Sequence, residues 1–313
     1  MVKYIAKRIL ISLPVLFGIS LVAFFVVRLV PGDTVTAMLG TNYSEHEADL
    51  IRHRYGLDKP IYVQYGIWLL NLLHGDFGVS SFTHRPVLQL IFERLPITLE
   101  LTILSVSFAV LFAIPFGTYA AILRNSPVDY GTGFFGLLGL SIPNFWLGTM
   151  LVLYFSLYLG WLPSSGFVGF LEDPLGNAKS MLLPTLTLGT AVGAVIMRMT
   201  RSSMLEITRE EYIKVARAKG VKRARLIWKH AIKNAMIPVI TIIGVQVGYL
   251  MGGSVVIEQI FALPGIGRLA LHAITNRDYP LLQGTILFIA TFFVVINLLV
   301  DIIYAFLNPK IRY

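Results

Sequence analysis

The sequence predicts an all-α integral membrane protein with about six transmembrane helices. Of its 313 residues, 56% are hydrophobic and 14% are charged, and the mean hydropathy of +0.72 lies far above that of ordinary soluble domains. A spanning helix needs about 20 mainly apolar residues, and six runs approach or exceed that length. These runs are continuous, whereas the strands of an outer-membrane barrel alternate apolar with polar residues. Both observations favour a helical bundle.

The six spans are predicted, in order, at about residues 9–30, 98–122, 134–160, 181–199, 237–260 and 282–306. The first could be taken for a secretory signal, because Lys3, Lys7 and Arg8 precede it. We expect it to be retained, since the apolar run is long and no small-residue cleavage pattern follows. Four spans contain a proline, which removes a backbone donor and favours a bent helix. These prolines are Pro14, Pro115, Pro143 and Pro184.

The spans divide the chain into three regions. Residues 1–30 form an N-terminal transmembrane helix, residues 31–97 an extracytoplasmic segment, and residues 98–313 a five-helix core that carries a hairpin at 200–236. The second region is too long for a plain connection. We therefore expect it to pack over the outer mouth of the bundle.

Lysine and arginine lie mainly on one side of the predicted bundle. That side holds Lys3, Lys7, Arg8, Arg124, the cluster from Arg198 to Lys233, Lys310 and Arg312, whereas the other side has Lys179, Arg268 and Arg277. Because positively charged loops stay in the cytoplasm, both termini and the hairpin are predicted to be cytoplasmic, with 31–97 and 160–180 outside. The net charge of +9 is thus concentrated in one loop, and no nucleic-acid surface is predicted.

The loop at 200–236 has the pattern of two amphipathic helices. Thr208 and Glu211 fit a capping box at the start of the first helix, and Gly220 is placed to end it. The second helix has a cationic face of Lys222, Arg225, Lys229 and Lys233 and an apolar face of Ala224, Ile227, Ala231 and Ala235. The cations alone could serve topology and contact lipid headgroups. A structured first helix instead favours docking of a soluble partner.

The fifth span carries two separate patterns. Gly244, Gly248 and Gly252 recur at every fourth residue, which is typical of a face where another helix approaches closely. Beside them lie Gln246, Tyr249 and Ser254, whose polar groups could line a water-filled path.

Ionisable residues in or near spans are candidates for function, and the chain has three, Glu100, Glu258 and Asp301. We expect Asp301 to pair with a cytoplasmic-side arginine such as Arg198, and Glu258 to form a packing salt bridge near an outer gate. No catalytic or metal site is predicted: the chain has no cysteine, the spacing around His46 does not fit zinc, and the phosphate-binding motif G-x-x-x-x-G-K-[ST] is absent.

Several motifs resemble the dipeptide, oligopeptide, glutathione and nickel permease family of ATP-binding-cassette importers. They are PGD from Pro31, YGLDKP from Tyr55, HGDFG from His74, RMTRSSMLE from Arg198, EYIKVARAKG from Glu211, LPGIG from Leu263, RDYP from Arg277 and NPKIRY from Asn308. The resemblance runs from end to end and implies the type I importer permease fold. It also implies that the first hairpin helix is a coupling helix, which docks in a groove of the ATPase.

Importer permeases carry a Glu-Ala-Ala motif with a glycine four residues after the second alanine. Aligning that glycine with Gly220 puts Ala216 at the second alanine, while Val215 replaces the first and Lys214 stands at the glutamate position. The resemblance therefore implies Glu211, Tyr212, Ala216, Ala218 and Gly220 as the coupling residues.

The resemblance further implies the partners of this chain. These are a second, homologous permease subunit, two cytoplasmic ATP-binding subunits, and an extracytoplasmic substrate-binding protein that docks on the 31–97 segment. ATP and Mg would be bound by the partner ATPases, with no cofactor in this chain. The location implied is a bacterial or archaeal cytoplasmic membrane. The cargo would be a dipeptide or oligopeptide, with glutathione or a nickel complex as alternatives.

Two other classes of function fit a polytopic membrane protein. An ion-coupled secondary transporter would use inverted repeats, broken helices and shared buried acids. None of these is visible in the sequence, and Glu258 and Asp301 lie near opposite ends of their spans. A membrane anchor that only recruits a soluble enzyme would show no uptake at all.

Overall fold

A computed structural model of the chain describes residues 2–29, 44–46, 49, 53 and 58–307. The described part is helical, and its one β-type pairing is an isolated bridge between Val79 and Pro86. The helices are α1 (Val2–Leu29), α2 (Ile61–Leu73), α3 (Val87–Ile122), α4 (Pro127–Ser141), α5 (Asn144–Leu151), α6 (Pro174–Ile207), α7 (Glu211–Ala218), α8 (Ile232–Gly253), α9 (Val255–Ile260), α10 (Ile266–Thr275) and α11 (Tyr279–Leu307). A π-helical segment, Val152–Tyr158, continues α5, and another, Leu226–Ala231, leads from the short turn Arg223–Arg225 into α8.

The described helices provide five spans, or six if one bent pair of helices is counted as a span, which agrees with the prediction of about six. Five helices are long and apolar enough to span a bilayer, over Ile5–Arg28, Val87–Ile122, Pro174–Ile207, Arg223–Gly252 and Tyr279–Ile303. The candidate for a sixth span is the pair formed by α4 and the α5 segment, which meet at an angle of 97°. We call the end of the bundle that carries α7 the hairpin end.

The run predicted as one span at 134–160 is divided between α4 and α5 at Pro143, one of the four prolines that were expected to bend a helix. Pro143 precedes α5, and Ile142 before it is extended, with φ −78° and ψ 121°. A residue before proline is disfavoured in the helical region, so α4 ends at Ser141. The other three prolines lie inside the continuous helices α1, α3 and α6. The chain thus contains the broken helix that the sequence did not reveal.

Several helices extend beyond the apolar runs that predicted them. α3 has 36 residues and begins at Val87, inside the region predicted as the extracytoplasmic segment. At a rise of about 1.5 Å per residue it is roughly 54 Å long, well beyond a hydrocarbon core of about 30 Å. α6 likewise starts at Pro174, where the side chain of Asp173 accepts a hydrogen bond from the Leu175 N–H. The starts of these two helices could not be predicted from hydropathy, because polar residues flank the apolar runs there.

The central packing joins α3 to α6 and α8 to α11. A β-carbon at Gly117 of α3 would lie 2.6 Å from the carbonyl oxygen of Met197, so the two backbones are in close contact. The three glycines of α8 face side chains of α11. A β-carbon at Gly244 would lie 1.9 Å from Val300, and one at Gly248 would lie 2.5 Å from Phe293.

The first and last spans are joined by an ion pair. Arg8 Nη1 of α1 lies 3.1 Å from Asp301 Oδ2 of α11. Asp301 thus pairs with an arginine at the expected end of the bundle, as predicted, but this arginine is Arg8 and not Arg198. Arg198 is exposed on α6, whereas the start of α1 runs beside the end of α11. The motifs at Pro31 and Asn308, and Lys310 and Arg312, lie outside the described residues.

Candidate functional site

α7 is a short helix held against the hairpin end by one buried side chain. Ile213 is 1% exposed and belongs to an apolar cluster with Ala121, Met204, Leu226, Ile227, Ala231 and Ala235. These neighbours come from the ends of α3 and α6 and from the segment that leads into α8. Tyr212 adds a polar contact, because its hydroxyl accepts a hydrogen bond from Asn234 Nδ2 at 2.7 Å. One apolar cluster therefore joins α7 to the ends of three spans.

Gly220 ends α7 in the left-handed conformation that the sequence pattern predicts. Its φ is +78°, and its N–H donates to the Arg217 carbonyl oxygen at 3.0 Å. The N–H of Val221 donates to the Ala216 carbonyl oxygen at 3.2 Å, which completes a Schellman motif. A β-carbon at Gly220 would meet nothing within 4 Å. The choice of side chain at position 220 is therefore limited by the φ angle and not by lack of space.

The start of α7 differs from the predicted capping box. Thr208 follows the last residue of α6, and its hydroxyl donates to the Leu205 carbonyl oxygen at 3.1 Å. The residue before α7 is Glu210, which makes no side-chain cap. The prediction is wrong because α6 continues to Ile207 and uses Thr208 in its own last turn. Glu210 and Glu211 still lie at the positive end of the helix dipole.

The remaining faces of α7 are open. Glu211, Tyr212 and Ala218 are exposed, and so is Val215, whereas Ala216 is half-buried against the apolar cluster. Charged side chains surround this small apolar patch, an arrangement typical of a protein contact. The four predicted cations of the following segment are exposed as well, and Ile227, Ala231 and Ala235 are buried opposite them. Ala224, the fourth residue of the predicted apolar face, is instead exposed. It precedes the π-helical segment, which changes the helical register between Ala224 and Ile227.

A cavity of about 420 Å³ lies where α4 and α5 bend apart, bordered also by α6 and α8. Its polar lining consists of Asn144, Gln246 and Tyr249, among aliphatic side chains such as Leu188 and Val195. No charged side chain is among the described residues that line it. Two of the three predicted path residues are therefore brought together here. Asn144 was missed, although a polar residue directly after Pro143 in an apolar run was a usable signal.

Ser254, the third predicted path residue, lies elsewhere. It is 1% exposed, and its hydroxyl donates to Glu258 Oε1 at 2.8 Å. It sits in the short break between α8 and α9, which the sequence analysis had joined into one span.

Glu258 is fully buried at the end of the bundle opposite α7. Its carboxylate accepts from the hydroxyls of Thr98 at 2.9 Å and Ser254, and from the Arg268 N–H at 2.8 Å. The expected salt bridge is therefore wrong: the partners of the carboxylate are two hydroxyls and a backbone N–H in the first turn of α10. A β-carbon at Gly265 would lie 2.3 Å from the carboxylate carbon. We call this group, which links α3, α9 and α10, the Glu258 latch.

A second buried carboxylate, Asp278, was missed by the sequence analysis. It accepts hydrogen bonds from the Ser80 hydroxyl and from the Ser81 N–H, the latter at 3.1 Å. It thereby ties the turn before α3 to the start of α11. The backbone N–H of Asp278 donates to the Ala273 carbonyl oxygen at 2.8 Å. Asp278 directly follows Arg277, whose φ is +51°.

Two further polar contacts fix the spans near their ends. Arg201 of α6 makes a bidentate ion pair with Asp129 of α4, at 2.6 and 2.9 Å, and Asp129 is only 5% exposed. Glu100, which the sequence analysis flagged, accepts from Asn177 Nδ2 at 2.6 Å. Both contacts have structural partners, and neither side chain lines the cavity at the bend.

Comparison with known proteins gives matches along the whole chain. Residues 113–313 match the family model of the binding-protein-dependent transport system inner membrane component, and residues 1–102 match the model of the N-terminal part of such membrane components. A putative peptide transport system permease protein of Brucella abortus (strain 2308) is 44% identical over 313 residues, 100% of both chains. An oligopeptide transport system permease protein of Bacillus subtilis (strain 168) is 42% identical over 317 residues, and a glutathione transport system permease protein of Escherichia coli (strain K12) is 42% identical over 313, each again with 100% of both chains covered.

Among solved structures, an inward-facing methionine ABC transporter, MetNI, has the same fold. Its matching chain has a TM-score of 0.58 at 19% identity, over 71% of this chain and 97% of that chain. The likeness supports the predicted type I importer permease architecture.

Proposed function

The chain belongs to the family of binding-protein-dependent transport system inner membrane components, and we propose that it forms one half of the path of an ATP-driven importer of dipeptides or oligopeptides. The observation that carries this proposal is the attachment of an exposed helix, α7, to three spans through the buried Ile213. A helix held in this way can transmit the movement of a soluble partner into the bundle.

The proposed partners follow from the family. A second, homologous permease subunit completes the path, two cytoplasmic subunits bind ATP and Mg, and an extracytoplasmic binding protein delivers the cargo. The hairpin end faces the cytoplasm in this arrangement, because the exposed lysines and arginines concentrate there. This orientation puts the Glu258 latch and Asp278 on the outer side.

The coupling residues divide into two roles. Glu211, Tyr212 and Ala218 present side chains to the ATPase, together with Val215, because they are exposed on α7. Ala216 and Gly220 shape the helix and its end, since Ala216 packs inward and Gly220 supplies the positive φ. ATP-driven closure of the ATPases would move α7 as a rigid body, and the apolar cluster around Ile213 would carry that movement to α3, α6 and α8.

The path is formed by the cavity at the bend of α4 and α5. Gln246, Tyr249 and Asn144 provide neutral hydrogen-bonding groups, which suit the amide groups of a peptide without selecting the charge of its side chains. Ser254 supports the latch instead. Relatives named for peptide and oligopeptide transport favour a peptide cargo. Glutathione, the cargo in the name of another relative, is the alternative, as is a nickel complex.

The broken helix formed by α4 and α5 also occurs in ion-coupled secondary transporters. Such a carrier would use an acidic side chain beside the break, and no acidic or basic side chain is among the described residues that line this cavity. Glu258 and Asp301 lie at opposite ends of the bundle. The importer is therefore the better supported function.

The test is to isolate the tagged chain gently from its native membrane and to identify the proteins that accompany it in near-stoichiometric amounts. We expect a second permease and ATP-binding subunits, and the reconstituted complex should take up peptide only with ATP and the binding protein. Recovery of the chain alone, in a form that still transports without ATP, would refute the proposal.

A further inference from the structure

A cationic cavity of about 400 Å³ opens at the end of the bundle opposite α7. It lies between the start of α3 and the surface helix α10, and its lining includes Arg85, Arg94, Arg268 and His272. Asp278 is its one acidic lining residue among those described. We call this cavity the arginine pocket. It is separate from the cavity at the bend, and the proposed path residues do not line it.

Among the residues that the structure describes, the side chains of Arg94 and Arg268 make no hydrogen bond or ion pair, and Arg94 has only a through-space attraction to the neighbouring Glu93. Arg85 pairs with Glu93, and Asp278 is occupied by Ser80, Ser81 and Leu281. Within the described residues, the guanidinium groups of Arg94 and Arg268 donate to no protein acceptor. The Nε atom of Arg268 is buried from solvent without a partner. A buried donor without an acceptor is costly, so the pocket is chemically suited to receive an anion.

The backbone of Arg268 is held in place by contacts within this chain. Its backbone N–H donates to Glu258 in the latch, and α10 begins two residues earlier at Ile266. Arg94 comes from a different helix, α3. One carboxylate between these two guanidinium groups would therefore cross-link α3 and α10, directly above the latch that already joins them. Arginine and carboxylate match in geometry as well as in charge.

The length of α3 puts the pocket above the lipid headgroups. If the hairpin end of α3 lies at one membrane surface, a hydrocarbon core of about 30 Å ends roughly 20 residues earlier, near residue 102. Arg94 would then lie about 12 Å beyond the hydrocarbon, whereas the headgroup layer is only about 5–8 Å thick. An anion at that height belongs to a soluble molecule. Phe82, exposed at the rim of the pocket, adds an aromatic contact of the kind found at protein interfaces.

We propose that the arginine pocket receives an acidic side chain of the extracytoplasmic binding protein, with Arg94 and Arg268 as its direct contacts. This inference rests on the proposed function and assigns the docking contact within it. Docking would then fix α10 against α3 on top of the Glu258 latch, so that the binding protein holds the outer gate elements while it releases cargo.

The test uses the assembled complex in lipid nanodiscs and the purified binding protein. Arg94→Gln and Arg268→Gln should each raise the Kd for the binding protein roughly tenfold or more, and each should weaken the dependence of Kd on NaCl concentration. Lys179→Gln removes another exposed cation from the same side of the molecule, outside the pocket, and should change Kd less than twofold. Wild-type Kd and salt dependence in both arginine variants would overturn the proposal.

A cross-linking experiment covers the case in which an arginine variant fails to assemble. The chain has no cysteine, so His272→Cys creates a single thiol at the pocket that can carry a photoreactive maleimide. We expect cross-links to an acidic peptide of the binding protein, and none from Lys179→Cys. Cross-links only to phospholipid would overturn the proposal, since the pocket would then be a lipid site.

The two proposals fail at different points. If the chain is recovered alone and still transports without ATP, the proposed function is wrong. If the complex assembles and imports peptide but docks normally in both arginine variants, the importer stands and the docking contact is wrong.

Discussion

At Gly220 the backbone limits the choice of side chain, because its φ is +78°. We predict that Gly220→Pro abolishes uptake, because proline fixes φ near −65° and lacks the N–H that donates to the Arg217 carbonyl oxygen. Gly220→Asn should retain most uptake, since asparagine tolerates the left-handed region and the space around a β-carbon is open. ATP-dependent uptake by the reconstituted complex measures both. Normal uptake by the proline variant would show that α7 is not the coupling element.

Gly265 is limited by space and not by its backbone angle. Its φ of −93° is open to any residue, but the Glu258 carboxylate fills the place that a β-carbon would take. Gly265→Ala would push a methyl group into the carboxylate of Glu258, and we predict a loss of stability of about 1–3 kcal/mol. Gly131→Ala in α4 is the matched control, since a β-carbon there meets nothing within 4 Å. Thermal unfolding of both variants in the same detergent tests this. Equal melting temperatures would mean that the latch can relax around the methyl group.

Single residues were predictable where the chemistry was local. The end of α7 at Gly220 needs only a glycine at the right spacing, and a carboxylate in an apolar run identified Glu258 as unusual. The partners of that carboxylate could not be predicted, because Thr98 is 160 residues away in the chain. Asp278 was missed for the same reason, since its donors Ser80 and Ser81 come from before α3.

Among the helices, the contact of α8 with α11 is the tightest that the described residues contain at a glycine. We predict that Gly244→Ala destabilises the protein by about 1–3 kcal/mol, because the new methyl group would overlap the stiff, β-branched Val300. Val300→Ala in the same chain should restore much of that loss, which a double-mutant cycle of melting temperatures would reveal as a coupling energy. Gly18→Ala in α1, where a β-carbon has open space, is the control. If the effects of Gly244→Ala and Val300→Ala on the melting temperature are additive, the loss of stability does not arise from the contact between these two residues.

The existence of the spans could be predicted from apolar runs, whereas their ends and their breaks could not. Hydropathy does not distinguish a straight helix from one that stops at Ser141 and restarts at Asn144 with a 97° turn. The short helices α9 and α10 were also missed, because six and ten residues fall below the length at which periodicity is informative. The break between α4 and α5 borders the cavity at the bend, and α10 borders the arginine pocket.

Taken together, the bundle has a neutral middle between two polar ends. At the hairpin end, α7 is fixed by an apolar cluster and presents exposed residues. At the other end, two buried carboxylates hold the short helices and loops in register with α3 and α11. The ends therefore resist deformation, while the cavity at the break of α4 and α5 has few polar restraints. An alternating-access movement would concentrate at this break.

The hairpin end offers a way to separate docking from transmission. Val215 is 53% exposed on α7, whereas the neighbouring Ile213 is 1% exposed in the apolar cluster. We predict that Val215→Ala weakens binding of the ATPase subunits, because it removes part of the exposed patch. Ile213→Ala should leave that binding nearly unchanged but loosen α7 from the spans, since large-to-small core substitutions of this kind cost about 2–5 kcal/mol.

The expected readouts differ in kind. In the assembled complex, the Ile213→Ala variant should still hydrolyse ATP, but the amount of peptide taken up per ATP should fall several-fold. The Val215→Ala variant should instead show reduced hydrolysis and reduced uptake together. Both should recover when the concentration of the ATPase subunits is raised. The ratio of uptake to hydrolysis, measured in the same proteoliposomes, distinguishes the two. A normal ratio in Ile213→Ala would mean that the apolar cluster does not carry the movement, and that α7 acts on the bundle through the Tyr212 hydroxyl and Asn234 instead.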